Sequence, residues 1–310
     1  MSFLQLTLSI GAADPAPFED ALLAVGASSI TLEDAADDPV LEPAPGTTPL
    51  WPSVRLKALF QGDASRDHIL IALQSVAQQM PLEAHFDVVE DRVWEREWLK
   101  DFRPMRFGHR LWICPGGQTP PPDLLRVTSH ESRGASASVC IVELDPGLAF
   151  GTGTHPTTAL CLEWLDGAAL DGKRVLDYGC GSGVLAIAAL KLGAREALAL
   201  DIDPQALQAT QDNAHRNGVS ARLRTADASE QTDSRVDILL ANILAHPLQQ
   251  LARRFADLLE PNGDLVLSGI LAVQAGAVAS SYSPWFDMAP PIVRDEWARL
   301  DGVRRAAASC

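Results

Sequence analysis

The sequence predicts an α/β protein in which a Rossmann-like domain with a doubly wound sheet follows a small α+β domain of ferredoxin-like pattern. Two observations support this prediction. An apolar run at residues 175–183 ends in three glycines spaced two apart and continues into the apolar segment 184–190, which is typical of a strand, a tight glycine turn and a helix. Residues 1–90 show a separate alternation of strand and helix patterns.

The first ninety residues predict the element order βαββαβ, that of a ferredoxin-like fold. Strands are predicted at 3–10, 28–32, 54–60 and 84–89, and helices at 17–25 and 65–79. A proline-rich loop at 39–52 separates the second and third strands. Because no catalytic constellation occurs in this part of the chain, we interpret residues 1–92 as a substrate-recognition domain or a purely structural one.

Residues 93–106 join the two predicted domains. Trp94 and Trp98 stand here among alternating charges, a pattern that predicts a short amphipathic linker helix. We expect this helix to set the angle between the domains and its tryptophans to pack against a domain rather than to recognise a ligand. Residues 107–310 form the second predicted domain.

The composition limits the classes of protein to which the chain can belong. With 310 residues, of which 47% are hydrophobic, it can bury a large core in two domains. Its five cysteines form no CxxC pair, which argues against a disulfide framework and against a metal site, and favours a reducing cytoplasm. The chain has neither a basic signal-peptide region nor an apolar run of about 18 residues, so we expect no secretion and no membrane insertion.

The net charge of −15 is unevenly distributed along the chain. Residues 1–54 contain eight acidic side chains and no lysine or arginine. Such a surface repels nucleic acid and attracts a basic partner, so we expect a basic protein substrate and no direct nucleic-acid binding. The alternative is a solvated acidic face that only aids solubility.

The glycine spacing in the turn indicates which cofactor it binds. A dinucleotide fingerprint requires GxGxxG, but after Gly179 and Gly181 the third glycine position falls on Val184, which disfavours a dinucleotide. Asp177 beside the turn would repel a phosphate but accept a hydrogen bond from an ammonium group. These features favour S-adenosylmethionine, which carries an ammonium group and no phosphate. The alternative is a glycine turn that only joins a strand to a helix.

Two aspartates follow the next predicted strand, residues 196–200. Asp201 lies 22 residues after Gly179, an offset at which a carboxylate reaches the ribose of a ligand bound across the first turn. Asp203 immediately precedes Pro204 and is expected to be the N-cap of a helix through residue 214, which leaves Asp201 free for the ribose. Alternatively, both aspartates only cap and solvate a turn.

A glycine-rich loop at residues 145–158 follows predicted strands at 111–114 and 139–144 and leads into a helix. Threonines, Thr158 among them, crowd the start of that helix, where free N–H groups and the helix dipole favour a carboxylate such as that of methionine. The loop is not a Walker loop, because no GK[ST] follows. His155 can act as a catalytic base or, since it precedes Pro156, as a helix cap; the cap is the favoured interpretation.

Several segments of the second predicted domain together resemble a known protein family. The segments DPGLAFGTGTHPTT (145–158), DYGCGSGVLAIAALKLGA (177–194), DIDPQALQATQDNAHRNGV (201–219) and ANILAHPL (241–248) are similar to those of the PrmA family of ribosomal protein methyltransferases. The resemblance also includes residues 97–116 and 267–271, whereas residues 1–90 match in domain pattern more than in motif. It implies a class I methyltransferase that uses S-adenosylmethionine to modify amino groups of the eleventh protein of the large ribosomal subunit.

The same resemblance implies cofactor contacts at Thr158, Gly179, Asp201 and Asn242, with Gly181 in the same turn. Asn242 follows an apolar strand predicted at 236–241, and ligands of open α/β sheets bind outside such carboxyl ends. As the catalytic residue, it would accept a hydrogen bond from the substrate amine and aim the nitrogen lone pair at the methyl group. Its alternative role is a helix cap.

Methyl transfer to an amine requires alignment and a neutral nucleophile, but no covalent intermediate. Deprotonating a lysine of pKa near 10.4 at pH 7 costs about 4.6 kcal/mol, which burial beside a sulfonium reduces. We therefore expect no dedicated general base. Two other functions stay open: methylation of glutamine side chains, although the expected NPPY motif is absent at Asn242, and a ribosome-assembly factor without turnover.

Overall fold

A computed structural model describes residues 2–36, 50–77, 83–90, 103–121, 139–145, 155–229 and 235–306. The chain divides into two compact units, Met1–Trp94 and Glu95–Cys310. None of the helices within the described ranges is both long and apolar enough to cross a lipid bilayer.

The first unit is a four-stranded antiparallel sheet with two helices. Its elements are β1 (Ser2–Gly11), α1 (Ala16–Ala24), β2 (Ser29–Asp34), β3 (Val54–Gln61), α2 (Arg66–Ala77) and β4 (Glu83–Glu90). The strand order β2-β3-β1-β4, with every neighbouring pair antiparallel, is the ferredoxin-like arrangement that the sequence predicts. Much of the predicted loop at 39–52 lies outside the described residues.

Strict alternation along β1 explains how this unit forms its core. Leu4, Leu6, Leu8 and Ile10 are at most 3% exposed, while the residues between them lie on the other face of the sheet. The buried side chains pack against the apolar faces of α1 and α2 in a single cluster. Among the described residues of this unit, the two helices therefore cover one face of the sheet only.

The second unit contains a large mixed sheet and a small one. Its elements are β5 (Met105–Phe107), β6 (Leu111–Pro115), β7 (Cys140–Leu144), α3 (Pro156–Gly167), β8 (Arg174–Tyr178), α4 (Val184–Lys191), β9 (Glu196–Asp201), α5 (Pro204–Arg216), β10 (Leu223–Asp227), β11 (Val236–Asn242), α6 (Ala245–Leu258), β12 (Leu259–Leu271), α7 (Ala275–Tyr282), β13 (Phe286–Met288), β14 (Ile292–Arg294) and β15 (Trp297–Arg304). The small sheet has the order β5-β6-β7.

The large sheet has the order β10-β9-β8-β11-β12-β15-β13, with β14 also paired to β15. Strands β8 to β12 are mutually parallel, and β15 is antiparallel to β12. The strand order reverses between β8 and β11, so the sheet is doubly wound as predicted. Open α/β sheets bind their ligands in the crevice at such a reversal. Alternate residues face opposite layers: Val175 packs in the cluster of α3 and α4, and Leu176 in the cluster of α6 and α7.

Only residues 103–106 of the predicted linker helix at 93–106 are described by the structure. Residues 93–102 lie outside the described residues. Met105 and Arg106 belong to β5 and pair with Ile113 and Trp112 of β6, so a helix does not extend to residue 106. Pairing with an apolar neighbouring strand outweighs the local helical pattern here.

Candidate active site

A cavity of about 430 Å³ opens at the carboxyl ends of the parallel strands, next to the reversal of strand order. All five predicted site residues line it: Thr158, Gly179, Gly181, Asp201 and Asn242. Apolar side chains form most of the remaining wall, among them Ile202, Ile243, Leu244, Pro247 and Leu251. A volume of this size is typical of a small-molecule site.

The glycine turn that follows β8 has the backbone conformation expected from its sequence. Gly179, Gly181 and Gly183 all have positive φ, at 79°, 53° and 77°. The N–H groups of Gly179 and Cys180 donate to the carbonyl of Leu200, at 2.7 and 3.0 Å, and thereby tie the turn to β9. The positive φ of Gly179 favours glycine, and a β-carbon there would also displace the side chain of Ile243.

Asp201 is part of the same backbone framework. Its Oδ2 accepts a hydrogen bond from the N–H of Gly181 at 2.9 Å, and its Oδ1 accepts one from the N–H of Asp203 at 3.0 Å. Asp201 is therefore not without hydrogen bonds, because the turn and the start of the next helix both present N–H groups to it, and its contact with a ribose stays a prediction. Each oxygen keeps a second lone pair, and the half-buried carboxylate still lines the cavity.

Asp203 caps α5, as the sequence predicts. It has extended backbone geometry, Pro204 occupies the first helical turn, and the carboxylate accepts a hydrogen bond from the N–H of Gln205 at 2.9 Å. This division of roles leaves Asp201, and not Asp203, at the cavity.

Asp177 does not have the position that the sequence suggests. The side chain is 1% exposed, is not among the residues that line the cavity, and points beneath the turn, where Oδ2 accepts a hydrogen bond from Ala186 N at 3.1 Å. Its Oδ1 has no hydrogen-bond partner among the described residues. Burial raises the pKa of this carboxyl to about 7, and the nearby Asp201 charge adds to the rise. Direct acceptance of a ligand ammonium by Asp177 is therefore not supported.

Asn242 is the last residue of β11, and its carboxamide lies beside the start of α3. Its Nδ2 donates a hydrogen bond to Oγ1 of Thr158 at 3.1 Å. No described residue donates to its Oδ1, which leaves the oxygen as the acceptor available to a ligand. The N-cap of α6 is Leu244, so the alternative that Asn242 caps this helix is wrong.

His155 is the N-cap of α3, in agreement with the favoured interpretation. Its Nδ1 accepts from the N–H of Thr157 at 3.4 Å and lies 2.7 Å from the hydroxyl of the same residue. The ring contacts Trp297 edge-on, with centroids 4.6 Å apart, and burial lowers the pKa of the imidazole. Residues 146–154 of the glycine-rich loop lie outside the described residues.

Close packing of the backbone at Gly269 holds the segment after Asn242, a contact that was not predicted from the sequence. Gly269 has φ of 83°, and a β-carbon there would overlap the carbonyl oxygen of Ile243. The N–H of Ile243 donates a hydrogen bond to the backbone carbonyl oxygen of Ser268 at 3.2 Å. At the same place the pairing register of β12 with β15 shifts, between Leu267 and Ile270. The signal was present as an isolated glycine within an apolar strand pattern, which indicates a bulge or a close backbone approach.

The donor set of the cavity fits a sulfonium-bearing nucleoside better than a phosphate. Backbone with positive φ at Gly179 and Gly181 permits close approach, Asp201 offers carboxylate oxygens to hydroxyl groups, and Ile202 and Leu244 present apolar surface to a flat ring. No lysine or arginine occurs among the described residues that line it, so a pyrophosphate would have no counter-charge. The described residues also contain no cluster of His, Cys, Asp and Glu suited to a metal ion.

Comparison with known proteins identifies relatives along nearly the whole chain. The family model of ribosomal protein L11 methyltransferase (PrmA) matches residues 2–305. A ribosomal protein L11 methyltransferase of Ectopseudomonas mendocina is 49% identical over 307 residues, which cover 98% of this chain and 100% of that protein. One of Marinobacter nauticus is 47% identical over 311 residues, which cover 98% and 99%.

Solved structures include a similar protein of the same description. The crystal structure of a ribosomal protein L11 methylase from Lactobacillus delbrueckii subsp. bulgaricus has a TM-score of 0.57 and 30% sequence identity, and the match covers 66% of this chain and 100% of that chain. The match of the family model over almost every residue, and relatives that share nearly half of their residues with this protein, show that the chain belongs to the ribosomal protein L11 methyltransferase family, PrmA.

Proposed function

We propose that this protein transfers methyl groups from S-adenosylmethionine to amino groups of ribosomal protein L11, at lysine side chains, at the N-terminal amine or at both. The observation that carries the proposal is the carboxamide of Asn242, which lines the cavity beside the glycine turn with its nitrogen bonded to Thr158 and its oxygen available to a donor. An amine nucleophile is such a donor.

As a member of this family the chain uses S-adenosylmethionine, which supplies an electrophilic methyl group on a positively charged sulfur. We assign its binding to Thr158, Gly179, Gly181, Asp201 and Asn242. Asp201 contributes acceptor oxygens for hydroxyl groups, and the positive-φ glycines admit the ligand close to the backbone. The apolar wall excludes water and strengthens the polar contacts that remain.

Asn242 is the proposed catalytic residue. The hydrogen bond to Thr158 fixes which end of the carboxamide faces a substrate, so Oδ1 holds one N–H of the amine and orients the nitrogen lone pair. The amine must be neutral, and losing its proton at pH 7 costs about 4.6 kcal/mol for an unperturbed lysine. Burial in an apolar cavity beside a positive charge lowers that cost, so no dedicated general base is required.

We propose the first unit as the domain that recognises the substrate. Within Met1–Trp94 the sequence contains fourteen aspartates and glutamates but four lysines and arginines. A basic protein is attracted to such a surface by long-range electrostatics, and the attraction weakens with salt. In this proposal residues 1–92 recognise the substrate, 93–106 are the linker and 107–310 catalyse the transfer.

We also propose that the protein acts in the cytoplasm. Cys114, Cys140, Cys161 and Cys180 are buried free thiols, which is typical of a reducing compartment. Burial raises the pKa of the Cys140 thiol to about 11 and that of the Cys161 thiol to about 12, so these groups are poor nucleophiles.

The experiment that tests the proposal incubates the protein with methyl-labelled S-adenosylmethionine and purified L11, followed by peptide mass spectrometry. We expect methyl groups on lysine side chains or on the terminal amine, and an initial rate of labelling about 10²- to 10³-fold lower with Asn242→Ala. Methyl groups on glutamine would contradict the assignment to amines. Absence of label, despite measured cofactor binding, would indicate an assembly factor without turnover.

A further inference from the structure

A second groove, of about 440 Å³, runs along β9 and β10 of the large sheet, from the amino ends of these strands towards their carboxyl ends. Five arginines line it: Arg174, Arg195, Arg222, Arg224 and Arg235. Each lies within two residues of the first residue of one strand: β8, β9, β10 or β11. Because these strands are parallel, their amino ends lie side by side on the same side of the sheet. The arginines therefore line the end of the groove that lies at the amino ends of the strands.

The groove exists because one face of β9 and β10 has no helix over it in the described part of the chain. The described residues of the connection from β10 to β11, 228–229 and 235, contain no helix, whereas α6 follows β11 and covers the neighbouring strands. Leu198 and Ala226 on this face are consequently only half-buried. They form an apolar floor next to the charged end of the groove.

Two of the arginines are neutralised by carboxylates. Arg174 pairs with Asp237 at 3.2 Å and with Glu260 at 2.9 Å, and Arg195 pairs with Glu196 at 2.9 Å. These ion pairs hold the strand ends together and leave little charge for a ligand.

The other three arginines have no carboxylate partner among the described residues. Arg222 donates to the carbonyl oxygens of Leu190 and Ala194, at 3.2 and 2.8 Å, which orients its guanidinium without cancelling the charge. Arg224 and Arg235 are exposed. Asp227, which also lines the groove, is hydrogen-bonded to Ser229 instead. The described residues that line the groove thus include five guanidinium groups and two carboxylates, Glu196 and Asp227, in a chain of net charge −15.

We propose that this groove binds a nucleoside di- or triphosphate, with its phosphates among Arg222, Arg224 and Arg235 and its base on Leu198 and Ala226. Guanidinium groups bind phosphate oxygens in bidentate geometry, and a flat apolar floor suits a planar base. Arg222 and Arg224 lie two residues apart at the start of β10 and offer a compact pair of charges to a mononucleotide, and Arg235 lines the groove from the start of β11. The volume is that of a small-ligand site.

Isothermal titration calorimetry tests this proposal with ATP and with UTP, on protein saturated with S-adenosylhomocysteine so that no nucleotide enters the methyl-donor cavity. We expect saturable binding with one site per chain. The double variant Arg224→Ala, Arg235→Ala should bind at least about tenfold more weakly, because two charged contacts are lost. The control is Arg253→Ala, Arg305→Ala, which removes two exposed arginines elsewhere and changes the net charge equally; we expect it to bind as the unchanged protein does.

The proposal would be overturned if neither nucleotide bound, or if the groove variant and the control bound ATP equally well. It would also be overturned if inorganic triphosphate bound as tightly as ATP, or if the protein bound a short single-stranded RNA but neither nucleotide. The heat of S-adenosylhomocysteine binding reports whether each variant is folded. The measurement does not involve methyl transfer, so its result is independent of the proposed enzymatic function.

Discussion

Asn242 donates a hydrogen bond from its carboxamide nitrogen to the hydroxyl oxygen of Thr158 at 3.1 Å, which joins the end of β11 to the first turn of α3. The bond determines which end of the carboxamide is presented to a ligand. Thr158 itself is 1% exposed, so its hydroxyl is held by the packing of α3. The acceptor that we propose for methyl transfer, Oδ1 of Asn242, is thus oriented by a residue distant in sequence.

Removing either partner of this hydrogen bond should slow methyl transfer. For Asn242→Ala we expect kcat to fall about 10²- to 10³-fold, the loss typical of one positioned polar group. For Thr158→Val we expect a fall of about tenfold, because the carboxamide is no longer fixed in orientation, and Thr158→Ser should restore the rate. Steady-state kinetics with labelled S-adenosylmethionine measures both effects. An unchanged kcat in Thr158→Val would show that the bond does not position Asn242.

His155→Ala should affect stability more than catalysis. The change removes the N-cap of α3 and the edge contact with Trp297, so we expect the free energy of unfolding to fall by about 1 kcal/mol. The fall in kcat should stay well below the roughly 10²- to 10⁴-fold contribution of a general base. Urea titration and initial rates measure the two quantities. Loss of transfer at unchanged cofactor affinity would contradict the proposal that no general base operates. The matched control is His155→Asn, whose carboxamide oxygen can accept the capping hydrogen bond in place of Nδ1.

Asp177 should make the protein less stable as the pH rises. Its pKa in the folded state is about 7, above the ordinary value of 3.8, so between these values the folded state holds a proton that the unfolded state has lost. Stability then decreases with pH, by at most about 1.4 kcal/mol per unit. In Asp177→Asn, which keeps an acceptor for the N–H of Ala186, this decrease should disappear. Urea titrations at pH 5 and pH 8 test it, and equal pH dependence of the two proteins would contradict it.

Gly269→Ala should displace the segment after Asn242. The residue has φ of 83° and a β-carbon there would overlap the carbonyl oxygen of Ile243, so we expect a loss of at least about 1 kcal/mol in stability and a marked fall in kcat. Gly276→Ala is the control, because a β-carbon at this position in α7 meets nothing within 4 Å. Thermal unfolding and initial rates distinguish the two variants. Equal behaviour would show that the close approach at Gly269 is not needed.

Local signals in the sequence predicted the parts of the fold that depend on neighbouring residues. The turn from Gly179 to Gly183 is fixed by positive φ, and the start of α5 by the pair Asp203 and Pro204, so both follow from short-range chemistry. The alternation in β1 likewise predicts the covered face of the first sheet. For these elements the sequence and the structure agree.

Relationships between distant residues were not predictable in the same way. The two N–H groups that occupy Asp201 come from the turn and from the start of α5, and they meet the carboxylate only when the strands pair. Strands β13 to β15 form through antiparallel pairing late in the chain, without a strong local pattern. The arginines of the second groove come together for the same reason, since they start separate strands of one parallel sheet.

The central claim is that the cavity at the carboxyl ends of the strands binds S-adenosylmethionine, and calorimetric titration of the purified protein with this compound tests it most directly. We expect one site per chain and an affinity at least about tenfold weaker in Asp201→Ala, which loses the acceptor oxygens and the bond to Gly181. Asp203→Ala changes the charge equally but affects only the cap of α5, so its affinity should stay within a few fold of the unchanged protein. No measurable binding, or equal affinity in Asp201→Ala and the unchanged protein, would contradict the claim.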